Sequence, residues 1–128
     1  MAENLNALVQ TLQQQTAVYQ TGNEHQRQQL LELAQQLMRA IETPSERIGR
    51  MCYLNNHLFF ATRVLIDLDV FRILTKAQKP MAVAELATQT GADQILLERL
   101  IKHVCTQDYV RETGADEYEA NDTTQVLA

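Results

Sequence analysis

Apolar residues recur at three- and four-residue steps along most of the chain, the spacing of one helix face. Leu5, Leu8, Val9, Leu12, Thr16 and Tyr19 predict a first helix, and Leu30, Leu33, Ala34, Leu37, Met38 and Ile41 a second. The stretch "TGNE" at 21–24 separates them, with Gly22 placed to end the first. Both helices are rich in Gln and carry narrow apolar stripes, a pattern that orders best against a partner surface. In "ETPSERIGRM", Thr43 suits an N-cap, Pro44 the first helical position, and Glu46 completes a capping box. A third helix therefore starts at Pro44 and turns Ile48, Met51, Cys52 and Leu54 inward. Asn55 or Asn56 is expected to break or cap it.

From 57 to 74 the pattern changes. Leu58, Phe59, Phe60, Ala61, Val64, Leu65, Ile66, Leu68, Val70, Phe71, Ile73 and Leu74 leave almost no polar face. A helix that is apolar all round must be covered all round. So small a domain can hardly surround one helix, so a second copy of the chain is the expected cover. Arg63, Asp67, Asp69 and Arg72 interrupt the stretch and argue against a membrane span.

"KPMAVAELATQTGADQILLERLIKHV" at 79–104 predicts helix, turn and helix. Val83, Leu86 and Ala87 give the first, a short helix; Gly91 stops it and Asp93 caps the second, which carries Leu96, Leu97, Leu100, Ile101 and Val104. "YVRETGADEYEAND" then predicts a hairpin, with Val110, Tyr118 and Ala120 inward and the turn at 114–116. A last helix follows, capped by Asp122 or Thr123. The fold class expected is mainly α: a helical bundle with a C-terminal winged helix-turn-helix and a small β-hairpin. Residues 1–43 are read as Gln-rich N-terminal helices and 44–128 as a helical dimerisation and winged-helix domain.

Charge decides what the winged helix does. The chain of 128 residues has a formal net charge of -5. Asp93, Glu98, Asp108, Glu112, Asp116, Glu117, Glu119 and Asp122 outnumber Arg99, Lys102 and Arg111 on the surface that would meet a duplex. Phosphate binding needs the opposite sign, so the winged helix is read as a scaffold and no nucleic-acid partner is expected. No secretory signal is visible at the start, which points to the cytoplasm, and no membrane partner is expected. Cys52 and Cys105 are read as reduced, buried thiols.

Candidate chemistry is sparse. His25, His57 and His103 lack a second His or Cys at helical spacing, so no metal site is expected. Cys105 stands two residues from His103 and Cys52 five from His57, poor spacings for a thiol and its base. The four glycines, Gly22, Gly49, Gly91 and Gly114, are scattered and form no nucleoside-binding loop.

The order "ETPSERIGRMCYLNNHLFFATRVLIDLDVFRIL", then "MAVAELATQTGADQILLERLIKHVCTQDYVRETGADEYEANDTTQVLA", resembles the N-terminal domain of fungal S-adenosylmethionine-dependent O-methyltransferases, over about residues 30 to 128. The resemblance implies a non-catalytic dimerisation and substrate-pocket module of an O-methyltransferase-like enzyme in polyketide-type secondary metabolism. It also implies an intertwined homodimer. The S-adenosylmethionine site would lie in a catalytic domain, separate or deleted, because the chain ends where that domain is expected to begin. No catalytic, cofactor or metal residue carries over. Leu54, Leu58, Phe59, Phe60, Thr62, Leu65, Ile66 and Val70 are the expected dimer contacts, and Met51, His57 and Arg63 the candidate pocket residues. A stand-alone ligand binder or pericyclase-like helper is the alternative reading, and a winged-helix DNA regulator a second one opposed by the acidic wing.

Overall fold

The computed structural model describes residues 2–128. The chain separates into two compact units, Met1–Met51 and Cys52–Ala128. Helix α3 (Pro44–Gly49), grouped with the second part on sequence grounds, falls in the first unit.

In the first unit, α1 (Ala2–Val18) and α2 (Glu24–Ile41) pack on each other. Gly22 turns the chain between them at a φ of 92°, where a side chain would be strained. Asn23 then caps α2 by accepting from the Gln26 N–H. Thr43 and Glu46 form the expected capping box of α3, and Arg50 holds the Glu42 carboxylate at 2.8 Å. None of residues 4–51 is buried. The narrow stripes seen in the sequence cover one another only in part, because two helices have too little surface to exclude water from a seam.

The second unit has a true core. The unit's first residues, Cys52–Leu54, belong to the π-helical turn Arg50–Leu54, and α4 (Asn55–Asp67) follows. The break expected at Asn55 or Asn56 does not occur: Leu54 keeps right-handed helical angles, and the Asn56 amide donates back to the Cys52 carbonyl at 2.8 Å. The chain breaks at Leu68–Asp69 instead. Asp69 takes a left-handed φ of 59° and its carboxylate pairs with Arg72, so α5 (Val70–Ala77) sets off in a new direction. The apolar run from 57 to 74 is thus two helices rather than one. Each has its own inward face: Ala61 and Leu65 on α4, and Val70, Phe71 and Leu74 on α5.

These side chains meet Met81, Val83, Leu86, Leu97, Ile101, Val104, Val110 and Tyr118 in one cluster. Each fully buried aliphatic or aromatic member contributes about 1.5–3 kcal/mol relative to exposure. Helix α6 (Val83–Thr90) ends at Gly91, whose φ of 70° is the left-handed stop expected, and Asp93 caps α7 (Gln94–Cys105) through the Leu96 N–H.

The wing is a three-stranded antiparallel sheet in the order β1-β3-β2, formed by β1 (Met81–Ala82), β2 (Arg111–Gly114) and β3 (Glu117–Glu119). Strand β1 has no signature in the sequence, being two residues long. It exists because Met81 lies opposite Tyr118 and both are buried. Val110 and Tyr118 point to the core as expected, and Ala120 packs against it. Helix α8 (Asp122–Leu127) is capped by Asn121, one residue before the position expected. The Asn121 side chain accepts from the Thr124 N–H, and its amide also donates to the Asp108 carbonyl at 2.8 Å. That second bond, invisible in local sequence, selects the cap.

Candidate functional site

Helix α4 divides its residues sharply. Leu58, Ala61 and Leu65 turn toward the core, whereas Phe59 and Phe60 are 76% and 65% exposed and Ile66 is 40% exposed. Phe59 and Ile66 are seven residues apart, two helical turns, and so share a face. Tyr53, one turn before the helix, is also exposed. Two adjacent phenylalanines in water forgo about 1.5–3 kcal/mol each that burial would supply. Exposed apolar residues are ordinary when single; a continuous set marks an interaction surface.

The eight expected dimer contacts fall into three groups. Phe59, Phe60 and Ile66 are on the exposed face. Leu54, Leu58 and Thr62 are half-buried at its edge. Leu65 and Val70 are instead fully buried in the core of the same chain, so they have no surface to offer a partner. Helix α7 packs along α4 and places Leu97, Ile101 and Val104 in one cluster with Leu65, while the break at Asp69 lets Val70 join the same core on α5.

Beside this face lies a cavity of about 340 Å³ lined by Asn55, Leu58, Phe59, Thr62, Tyr109 and Leu127. Its wall is mostly apolar. The Thr62 hydroxyl donates to the Leu58 carbonyl at 2.7 Å and so has only lone pairs left for a ligand. None of the three candidate pocket residues lines it. Met51 and His57 are exposed, and exposed Arg63 pairs with Asp67 at 3.0 Å. Of the cavity residues, Leu58, Phe59 and Thr62 were picked out on sequence grounds. Tyr109 and Leu127 come from beyond α7 and had no local signal.

The remaining reactive groups are dispersed. Cys52 is exposed rather than buried, in a π-helical turn that has no buried residue; Cys105 is half-buried. Burial, with Glu112 and Asp108 adding to it, pushes the Cys105 thiol up to about 11, so it is protonated at neutral pH and a poor nucleophile. Among the described residues no three His, Cys, Asp or Glu side chains gather to hold a metal ion, and no helix is long and apolar enough to cross a membrane. On α7, Lys102 is engaged by Glu98 at 2.6 Å and Asp116 at 2.7 Å. The wing that would flank a nucleic acid presents Glu112 and Glu117 to solvent.

Comparison with known proteins gives this surface a context. The profile of the O-methyltransferase dimerisation domain matches residues 51–128. The chain is 32% identical over 108 residues to the O-methyltransferase ucdC of Aspergillus ustus, covering 84% of this chain and 28% of that protein. It is 29% identical over 122 residues to the O-methyltransferase lepI of Aspergillus flavus, covering 95% and 31%. The chain therefore spans less than a third of the length of either relative. Among solved structures, LepI in complex with SAM superposes at a TM-score of 0.76 with 25% identity, over 99% of this chain and 32% of that one. The helical second unit, its winged helix and the family match over 51–128 converge on one assignment: the chain belongs to the O-methyltransferase dimerisation domain family, in the form found in fungal secondary-metabolite enzymes.

Proposed function

We propose that this chain is a non-catalytic self-association and pocket-wall module of an O-methyltransferase-like enzyme. The observation that carries the reading is the adjacent pair Phe59 and Phe60, left open to water on α4 while the opposite face is packed. A second copy is the cover that a dimerisation family supplies. The cavity edged by Asn55, Phe59 and Tyr109 adjoins that surface and would form part of a substrate wall.

The described residues do not fit S-adenosylmethionine. The glycines stand singly, with Gly22 and Gly91 spent on turns, and the sheet is three short antiparallel strands rather than a strand followed by a glycine loop and helix. In this reading the cofactor belongs to a catalytic domain outside the chain. Two free thiols fit a reducing, cytoplasmic setting. The acidic wing opposes a nucleic-acid partner.

The test is light scattering coupled to size exclusion, on the chain and on Phe59→Asp and Phe60→Asp variants. A species of twice the 14.6 kDa chain mass that becomes a folded monomer on substitution supports the reading. A wild-type monomer at high concentration would sink it. A second reading, a stand-alone small-molecule binder, draws on the 340 Å³ cavity, which is large enough for a small ligand. It predicts a bound metabolite in mass spectra of the natively purified chain.

A further inference from the structure

On the second unit, a separate groove of about 760 Å³ runs between α5 and α6. Three cations, Arg72, Lys76 and Lys79, line it together with one acid, Glu85. The local charge is therefore positive in a chain whose net charge is -5. Arg72 is paired with Asp69, but Lys76 and Lys79 make no ion pair among the described residues. The C-terminal dipole of α5 accounts for a cation at Lys76 in its last turn. It does not account for Arg72 in the first turn or for Lys79 beyond the helix.

The groove has an apolar side. Ile73 and Ala77 belong to the same wall of α5 as Arg72 and Lys76, and Met81 lies at the base, 4% exposed. The segment that carries Lys79 between α5 and β1 is restrained. Gln78 takes a left-handed φ of 50°, Pro80 restricts the next turn, and Met81 is paired with Tyr118 in the sheet. A bare inorganic anion would leave the part-exposed Ile73 and Ala77 wet, and a neutral apolar molecule would leave two lysines without a counter-charge. We infer that this groove binds a small amphipathic carboxylate, its head between Lys76 and Lys79 and its hydrocarbon body along Ile73, Ala77 and Met81. The site lies on different residues from the Phe59–Phe60 surface and does not depend on the self-association reading.

The experiment is a two-dimensional amide NMR titration of the intact chain with decanoate, decanol and acetate in parallel. Decanoate is expected to shift amides of α5, β1 and α6, with at least tenfold weaker binding by decanol and by acetate. The Lys76→Glu, Lys79→Glu double variant should lose at least tenfold in decanoate affinity while its amide spectrum stays dispersed. If that variant fails to fold, the milder Lys76→Gln, Lys79→Gln pair makes the same test. The inference is overturned by decanol binding as tightly as decanoate, by shifts confined to the Phe59–Phe60 surface, by unchanged affinity in the variants, or by no decanoate binding at millimolar concentration.

Discussion

Lys102 on α7 reaches Asp116 in the turn of the wing, with 2.7 Å between ammonium and carboxylate. Glu98, one turn earlier on the same helix, holds the same ammonium at 2.6 Å. The two hydrogen bonds raise the lysine above its ordinary range, the Asp116 bond first. The pair joins a helix to a loop already tied to α6, whose Val83 N–H donates to the Asp116 carbonyl at 2.9 Å, and its partners are about half exposed, so its effect on global stability is small. Its local effect is larger. Lys102→Met should leave the melting temperature nearly unchanged while amide exchange at residues 117–119 accelerates. Because the raised lysine stabilises only when charged, wild-type wing protection should persist through neutral pH and fade only above the ordinary lysine range. Equal exchange in variant and wild type would show that the sheet alone holds the wing.

Phe59 and Leu65 stand six residues apart on α4 and have opposite roles, one 76% exposed and the other fully buried. Denaturant unfolding at low protein concentration separates them. Leu65→Ala should cost about 2–5 kcal/mol through lost burial and a cavity. Phe59→Ala should cost within about 0.5 kcal/mol of nothing in the monomer, and its penalty should appear only at concentrations where copies associate.

Gln78 and Gly91 both end helices in the left-handed region, at φ values of 50° and 70°. Only one has the residue suited to it. Gln78→Gly should stabilise the chain by roughly 0.5–1 kcal/mol, relief of left-handed strain outweighing added chain entropy. Gly91→Ala should destabilise by about 1 kcal/mol. No atom lies within 4 Å of a Cβ built there, so that cost is entirely one of backbone angle. Thermal melts of the two variants should shift in opposite directions.

Tyr118 is fully buried and its hydroxyl has no hydrogen-bond partner. Burial, more than the nearby acids, pushes its phenol up to about 12. The unfolded chain ionises near 10, so the folded state holds this proton longer. Its contribution is whole below about pH 10 and is lost as pH rises from there through about 12. Tyr118→Phe removes an unsatisfied hydroxyl and should be neutral or stabilising by about 1 kcal/mol at pH 7. It should also flatten the alkaline loss, read by unfolding midpoints between pH 8 and 11.

Local chemistry was legible wherever a residue type has only a few uses. Thr43, Pro44 and Glu46 announced a helix start, Gly91 a stop and Asp93 a cap, and each stands as read. Most of the inward faces of α6, α7 and the wing followed from spacing, because Leu86, Leu97, Ile101 and Tyr118 have one packed side, but Leu96, read with the α7 stripe, is 52% exposed. The acidic sign of the wing was likewise a matter of counting.

Tertiary structure decided what depends on partners far along the chain. A left-handed Asp69 is not written in its neighbours; it arises because the break lets Val70, Phe71 and Leu74 join a core with Leu86, Leu97 and Tyr118. That kink brought Val70 into the interior, while packing of α4 against α7 enclosed Leu65 and left Phe59 and Phe60 outside. The two-residue strand at Met81 and the Asn121 cap have the same origin, since each is selected by a contact with a residue more than ten positions away. Composition made residues 57–74 apolar on every side; which sides face water was settled by where the chain could bend.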